Sequence, residues 1–224
     1  MRNYKDFKEI KKAYAREQKR ALKDYIKRVK ESKISVDLLA EKYWIKDNLT
    51  RGQYQKAISN KMDINTLKEL AISKEISKTN KKINDFEIEC NEIASSDDIK
   101  QITIRVEWVK NNTWGMNPHC EVLTSNGYYL GSASGCGYDK LSSAIAEALN
   151  QDLSIKKLLY NGFEKALRQG KAPREVVGYG CGYKTPYFEG GIGYSAIKRI
   201  FDNLGATKNE WYDTKTSDLM FIEF

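Results

Sequence analysis

Apolar positions along the first 95 residues recur at helical steps. Tyr4, Phe7, Ile10, Tyr14, Ala21, Tyr25 and Val29 follow one another at three, four or seven residues, with no Gly or Pro between them. That spacing predicts one long helix over residues 4–32, with its apolar positions in a single stripe. Ser35 stands before "VDLLAEKYWI" and reads as the cap of a second, short amphipathic helix. "DNLTRGQ", residues 47–53, reads as a turn. "QYQKAISNK" and "INTLKELAISKEISKTNKKINDFEIECNEI" continue the helical pattern, with Asp63 and Asn65 as possible caps. Residues 1–95 are therefore expected to be helical, as a basic N-terminal arm, a hairpin or a bundle.

"ASSDD", residues 94–98, is a polar break, and beyond it the period becomes two. Ile102, Ile104, Val106 and Trp108 alternate with Thr103, Arg105 and Glu107, which marks a half-buried strand. "NNTWGMNP" reads as a loop, "HCEVLTS" as a second strand and "YYLGSAS" as a third, with Ser125-Asn126-Gly127 as the hairpin turn between them. Helices are expected over 139–150, over "SIKKLLYNGFEKALRQG" closed by Gly170, and over "YSAIKRIFDNLG" ending at Gly205. "REVVGYGCGY" reads as a glycine-rich strand, "KTPYFEGG" as a loop and "NEWYDTKTSDLMFIEF" as a terminal hairpin. The fold class is α+β. Residues 99–224 are expected to hold about five antiparallel strands and three packed helices.

Charge changes this picture most. The chain has 224 residues, with 30% charged and 41% hydrophobic side chains, as a soluble globular protein has. Its formal net charge is +8, and residues 1–33 alone hold 13 basic and 5 acidic side chains. The remaining chain is close to neutral. A basic arm on a near-neutral body suits a polyanion or an acidic partner. Lys11, Lys12, Arg16, Lys19, Arg20, Lys23, Lys27 and Arg28 are the candidate backbone contacts and are expected nearly to encircle the helix. An acidic protein surface fits the arm equally well. A membrane-surface helix fits less well, because the apolar stripe is tyrosine-rich and interrupted by Gln18. No apolar run of about 18 residues predicts a membrane span. "MRNYKDFKEIKK" has no apolar core, so no secretory signal is read, and a cytoplasmic protein is expected. The four cysteines form no C-x-x-C pair, and free thiols are expected.

Two glycine-rich blocks invite a chemical reading. Gly135-Cys136-Gly137-Tyr138 and Gly191-Ile192-Gly193-Tyr194 each precede a predicted amphipathic helix, and Gly180-Cys181-Gly182-Tyr183 echoes them with no helix after it. The first N–H groups of a helix lack intrahelical partners and carry partial positive charge. Glycine lets such a backbone approach a phosphate closely. Lys140 after the first block, and Lys198 and Arg199 after the second, would add charge. The alternative is a strand-to-helix turn needing positive φ, with no ligand. Neither block is a P-loop or a dinucleotide fingerprint, since the P-loop lysine and a third glycine are missing.

Two resemblances follow from these residues. Three strands and then a helix, ending in "YYLGSASGCGYDKLSSAIAEALN", resemble the second half of a double-stranded-RNA-binding domain over residues 101–150. That resemblance implies phosphate contacts at the helix start. The family has a lysine pair there, where this chain has Asp139-Lys140. "WGMNPH", "GSASGCGYDK" and "GGIGY", in this order, resemble small proteins of phages and mobile elements in low-GC bacteria. Inhibitors of CRISPR effector nucleases are among those proteins. The resemblance implies an action on host nucleic-acid machinery, and assigns no residue a role.

Catalytic chemistry has few candidates. His119 is the only histidine, so no His–His metal pair exists. A Cys–His nucleophile would need His119 beside Cys136 or Cys181, since alternation turns the adjacent Cys120 to the other face. A metal-independent ribonuclease would use His119 with Lys140 or Tyr138. Asp97-Asp98 and Asp213 with Asp218 read as exposed turns. Tyr128, Tyr129, Tyr179, Tyr183 and Tyr187 are placed to stack bases or to fill the core. No catalytic residue, metal or cofactor is assigned. The expectation is a nucleic-acid-engaging protein without enzymatic activity, an inhibitor of a host RNA-guided nuclease. A protein–protein adaptor and a small nuclease stand as alternatives.

Overall fold

The computed structural model describes every residue except 1–5, 35–37, 112–114, 125–126, 133–140, 178–185, 191–192 and 214–216. The fold is α+β. The chain divides into two units, Lys12–Ile88 and Met1–Lys11 with Glu89–Phe224. Helices α1 (Lys8–Glu31) and α4 (Ile64–Ser95) both run through the division.

The unit formed by Lys12–Ile88 is helical. Between α1 and α4 it holds α2 (Leu38–Asn48) and α3 (Arg51–Ser59). The Tyr14 ring lies 4.1 Å from Phe86, and Lys68 Nζ donates to the carbonyls of Lys30 and Ser32 at 3.2 and 2.8 Å. These contacts set α1 and α4 alongside each other in opposite directions. Ile45, Leu49, Ala57, Leu67 and Ala71 form a small core of their own. The expected turn at 47–53 shrinks to Leu49 and Thr50, because Asp47 and Asn48 close α2 and Arg51 opens α3. Thr50 and Gln53 build a capping box that satisfies two backbone donors at this junction. Asp63 accepts from the N–H groups of Asn65 and Thr66 at 2.9 and 3.1 Å. It is therefore the cap of α4, and Asn65 lies inside the helix. Ser35 lies outside the described residues.

The other unit is built on a five-stranded antiparallel sheet, ordered β3-β2-β1-β5-β4. Its strands are β1 (Gln101–Asn111), β2 (Gly115–Thr124), β3 (Gly127–Ser132), β4 (Lys208–Asp213) and β5 (Ser217–Glu223). In one row Val122, Ile104, Met220 and Trp211 face the core. In the adjacent row Glu121, Arg105, Leu219 and Tyr212 lie on the opposite face, where Arg105 pairs with Glu121. This is the period-two pattern of the sequence, realised on a sheet packed on one side. Helices α5 (Leu141–Gln151), α6 (Leu153–Arg168), α7 (Pro173–Val177) and α8 (Tyr194–Asn203) close the core with Ile145, Leu159, Val177 and Phe201. Asn150 clamps the backbone of Phe188 in both directions, at 2.7 and 2.8 Å.

Two expectations need correction. The loop read at 111–118 is mostly strand: β1 runs to Asn111 and β2 starts at Gly115. Pro118 fits there because β3 pairs with β2 only from His119 onward, so no neighbour on that side needs its missing N–H. The strand read at 174–183 begins as helix α7. Pro173 has its φ pre-set for a first helical position, and Glu175 reaches back to accept from the Ala172 N–H. The rest of that stretch lies outside the described residues. Gly170 and Gly205 end α6 and α8 as read, with φ of +67° and +98°. At each, the following residue donates back to the carbonyl that opens the last turn, Lys171 to Ala166 and Ala206 to Phe201.

Candidate nucleic-acid interface

Helix α1 holds ten basic and four acidic residues. Each residue turns about 100° from the last, so side chains three or four apart share a face. Lys12, Arg16, Lys19, Lys23, Lys27 and Lys30 follow such steps throughout, and Arg20 flanks them. All seven are exposed. The cations therefore form a ridge on one side and do not encircle the helix. Lys11 and Arg28 fall off this line, and Lys11 is half-buried with its Nζ 3.3 Å from Asn91 Oδ1. Tyr14 and Tyr25 occupy the other side, against Phe86 and Asn48. Among the described residues Arg16, Lys19, Arg20, Lys23 and Lys27 form no ion pair. Like charges three or four residues apart each destabilise a helix by about 0.2–0.5 kcal/mol. Five such steps along the ridge thus oppose the helix by about 1–2.5 kcal/mol.

The start of α1 shows what holds it against that cost. Glu164 of α6 is fully buried and accepts from the backbone N–H groups of Glu9 and Ile10 at 3.1 and 3.0 Å. Arg168 donates to the same carboxylate through Nε and Nη2 at 3.1 and 2.9 Å. Phe7 is fully buried, 5.2 Å from the Tyr160 ring, with φ of +43°. That left-handed conformation costs a bulky residue about 1–2 kcal/mol. Burying its ring offsets the strain. The first turn of the expected basic arm is thus an anchored element, held by a carboxylate more than 150 residues away in sequence.

The glycine blocks are described only in part. Gly135, Gly137, Tyr138, Lys140 and Gly191 lie outside the described residues. Gly193 is the exposed N-cap of α8, with φ −70°, and a Cβ there would meet nothing within 4 Å. Neither positive φ nor close packing requires glycine at this position. Tyr194 packs edge-on against Trp211, with centroids 3.4 Å apart. Lys198 Nζ donates to the Asn209 carbonyl at 2.7 Å, and Asn209 Nδ2 returns to the Lys198 carbonyl at 2.9 Å. These two residues tie α8 to the edge strand β4. Arg199 is exposed.

Among the described residues, His119 and Cys120 are not drawn together. Burial, reinforced by Glu121, pushes the Cys120 thiol up to about 12, so it holds its proton at neutral pH. His119 lies on the other face of β2, opposite Glu107 in the ladder. Its suggested partners Lys140, Tyr138, Cys136 and Cys181 lie outside the described residues, as do Tyr179 and Tyr183. Tyr128 and Tyr129 stand in β3, and Tyr187 is exposed. Asp97 is exposed, and Asp98 pairs with Lys157 at 3.0 Å. Asp213 and Asp218 are register partners in β4 and β5. Among the described residues no three of His, Cys, Asp or Glu are placed to hold a metal ion together.

What the fold and this surface define is an α+β protein bearing a continuous cationic ridge on one helix. The chain matches no family model, no curated protein and no solved structure. No described helix is long and apolar enough to cross a membrane.

Proposed function

We propose that the protein binds nucleic-acid backbone along α1. The observation that carries this reading is the ridge of Lys12, Arg16, Lys19, Lys23, Lys27 and Lys30, all exposed on one line. At 1.5 Å per residue it extends about 27 Å, one cation per turn of about 5.4 Å. With its other side packed against Phe86 and Asn48, α1 offers a strip to a partner and not its full girth. A strip lies along phosphates. Entering a major groove about 12 Å wide takes a whole helix. Recognition through phosphates is insensitive to sequence. The biological output we propose, on the resemblance to phage and mobile-element proteins, is interference with a host RNA-guided nuclease.

Fluorescence anisotropy against structured RNA, double-stranded DNA and single-stranded DNA tests this. Six neutralised phosphates give a slope of log affinity on log salt of about −5 on a duplex, or a loss of about 10³ between 50 and 200 mM. Replacing Arg16, Lys19, Lys23 and Lys27 by Gln should make that slope shallower by about 3–4. Affinity unchanged over this salt range, or no binding at 50 mM, would reject the reading and leave the ridge to an acidic protein surface. A gel of the recovered probe separates binding from cleavage. Cleavage by a guide-loaded nuclease with and without the protein tests the output.

A further inference from the structure

A second cationic feature lies elsewhere in the helical unit. A pocket of about 580 Å³ opens where α2 meets α3, lined by Lys46, Leu49, Arg51, Tyr54 and Gln55. That volume is within the range of small-ligand sites. Leu49 is buried, and the other four side chains are exposed or half-buried. Arg51, Tyr54 and Gln55 stand at i, i+3 and i+4 on α3 and so share one face. Lys46 comes from the last turn of α2.

Among the described residues no acidic side chain lines this pocket. Arg51 is the first residue of α3, where the helix dipole is already positive, and no acid stands in that first turn. Lys46 is a second cation in the same pocket, and neither forms an ion pair among the described residues. Arg51 opposes the dipole of α3, whereas Lys46, in the last turn of α2, is favoured by the dipole of its own helix. The Tyr54 ring, packed at its base on the small core, gives a flat apolar wall. The Gln55 amide can pair with the edge of a base, having both a donor and an acceptor.

We infer that this pocket binds a nucleoside 5′-monophosphate group, with Lys46 and Arg51 on the phosphate, Tyr54 against the base and Gln55 at its edge. The group is supplied by a free nucleotide or by the 5′ end of a strand. The assignment does not rest on the ridge of α1.

Calorimetry on the full chain tests it with four probes: the nucleoside 5′-monophosphates, the matching nucleosides, inorganic phosphate, and a tetranucleotide with or without a 5′-phosphate. The monophosphates should bind saturably. Lys46→Ala and Arg51→Ala should each weaken them on the order of tenfold. The nucleosides should be weaker by a similar factor. Tyr54→Phe should bind as the wild type does, while Tyr54→Leu should weaken binding with its circular dichroism unchanged. The α1 variant with four Gln substitutions should bind mononucleotides unchanged, even if it no longer binds longer nucleic acid. Tighter binding of the 5′-phosphorylated tetranucleotide would identify a strand end as the ligand, and tighter binding of the mononucleotide a free one. No saturable binding, or binding indifferent to Lys46→Ala and Arg51→Ala, overturns the site. Inorganic phosphate bound as tightly as the nucleotide overturns the part assigned to Tyr54 and Gln55.

Discussion

At the scale of single residues, Gly162 shows packing overruling helix propensity. It lies in the interior of α6, where Ala would ordinarily be better by about 1 kcal/mol. A Cβ there would stand 2.4 Å from Val177 Cγ1 and 2.6 Å from Leu204 Cδ2. Overpacking of this kind costs about 1–3 kcal/mol, so Gly162→Ala should lower stability by urea denaturation, against its propensity. Glu164 is held more tightly still. Removing it leaves two backbone donors without their acceptor and takes a buried carboxylate from Arg168, so Glu164→Ala should cost about 3 kcal/mol. Hydrogen exchange should rise first at the opening turn of α1. Cys120 gives a prediction with a sign in pH. Its thiol moves from an ordinary 9.0 to about 12 on folding, so the folded state binds the proton more tightly. The stability this contributes is complete below pH 9 and is lost as pH rises toward 12, at up to about 1.4 kcal/mol per unit. Between pH 9 and 11 the wild type should therefore lose about 2–3 kcal/mol more than Cys120→Ala. Equal losses would mean that this thiol is not the group responsible.

At the scale of elements, the sequence is legible where period alone decides. The helical stripe from Ile10 to Val29, the alternation in β1 and the glycine stops at Gly170 and Gly205 stand as read. Phe7, expected inside the first helix, precedes it with a left-handed φ, and Tyr4 lies outside the described residues. "ASSDD" marks where α4 ends and β1 follows. Period fails where capping chemistry decides. Two valines beside glycines suggested a strand at 174–183, but Pro173 and Glu175 start a helix there. Pro118 suggested a loop, although on that side of β2 its missing N–H is not needed. The ridge on α1 was legible in principle, since the 4-3-4-4-3 spacing from Lys12 to Lys30 is printed in the sequence. Counting charge without turning it about the helix axis hid it. The pocket of Lys46 and Arg51 left a fainter trace, a cation at the first position of α3 with no acid in that turn. Glu164 as the cap of α1 left none, because nothing local links residues so far apart in sequence.

At the scale of the molecule, charge is segregated. The excess of +8 lies within the first 33 residues, and the ridge concentrates it further onto one face of one helix. Long-range attraction toward a polyanion would then be set by α1, and association rates should fall as salt rises through the range where screening shortens to about 8–10 Å. Stopped-flow association at two salt concentrations checks this. A rate indifferent to salt would assign the ridge a local role only.

The anchoring of α1 also carries a consequence in time. Ile10 is capped by a side chain 154 residues later. At about 5–20 residues per second of synthesis, roughly 8–30 s separate the appearance of the helix from that of its cap. Through that interval the most basic segment of the chain is outside the ribosome without its anchor. A nascent chain stalled before Glu164 should therefore be nicked by protease near Ile10, and one stalled well beyond it should resist.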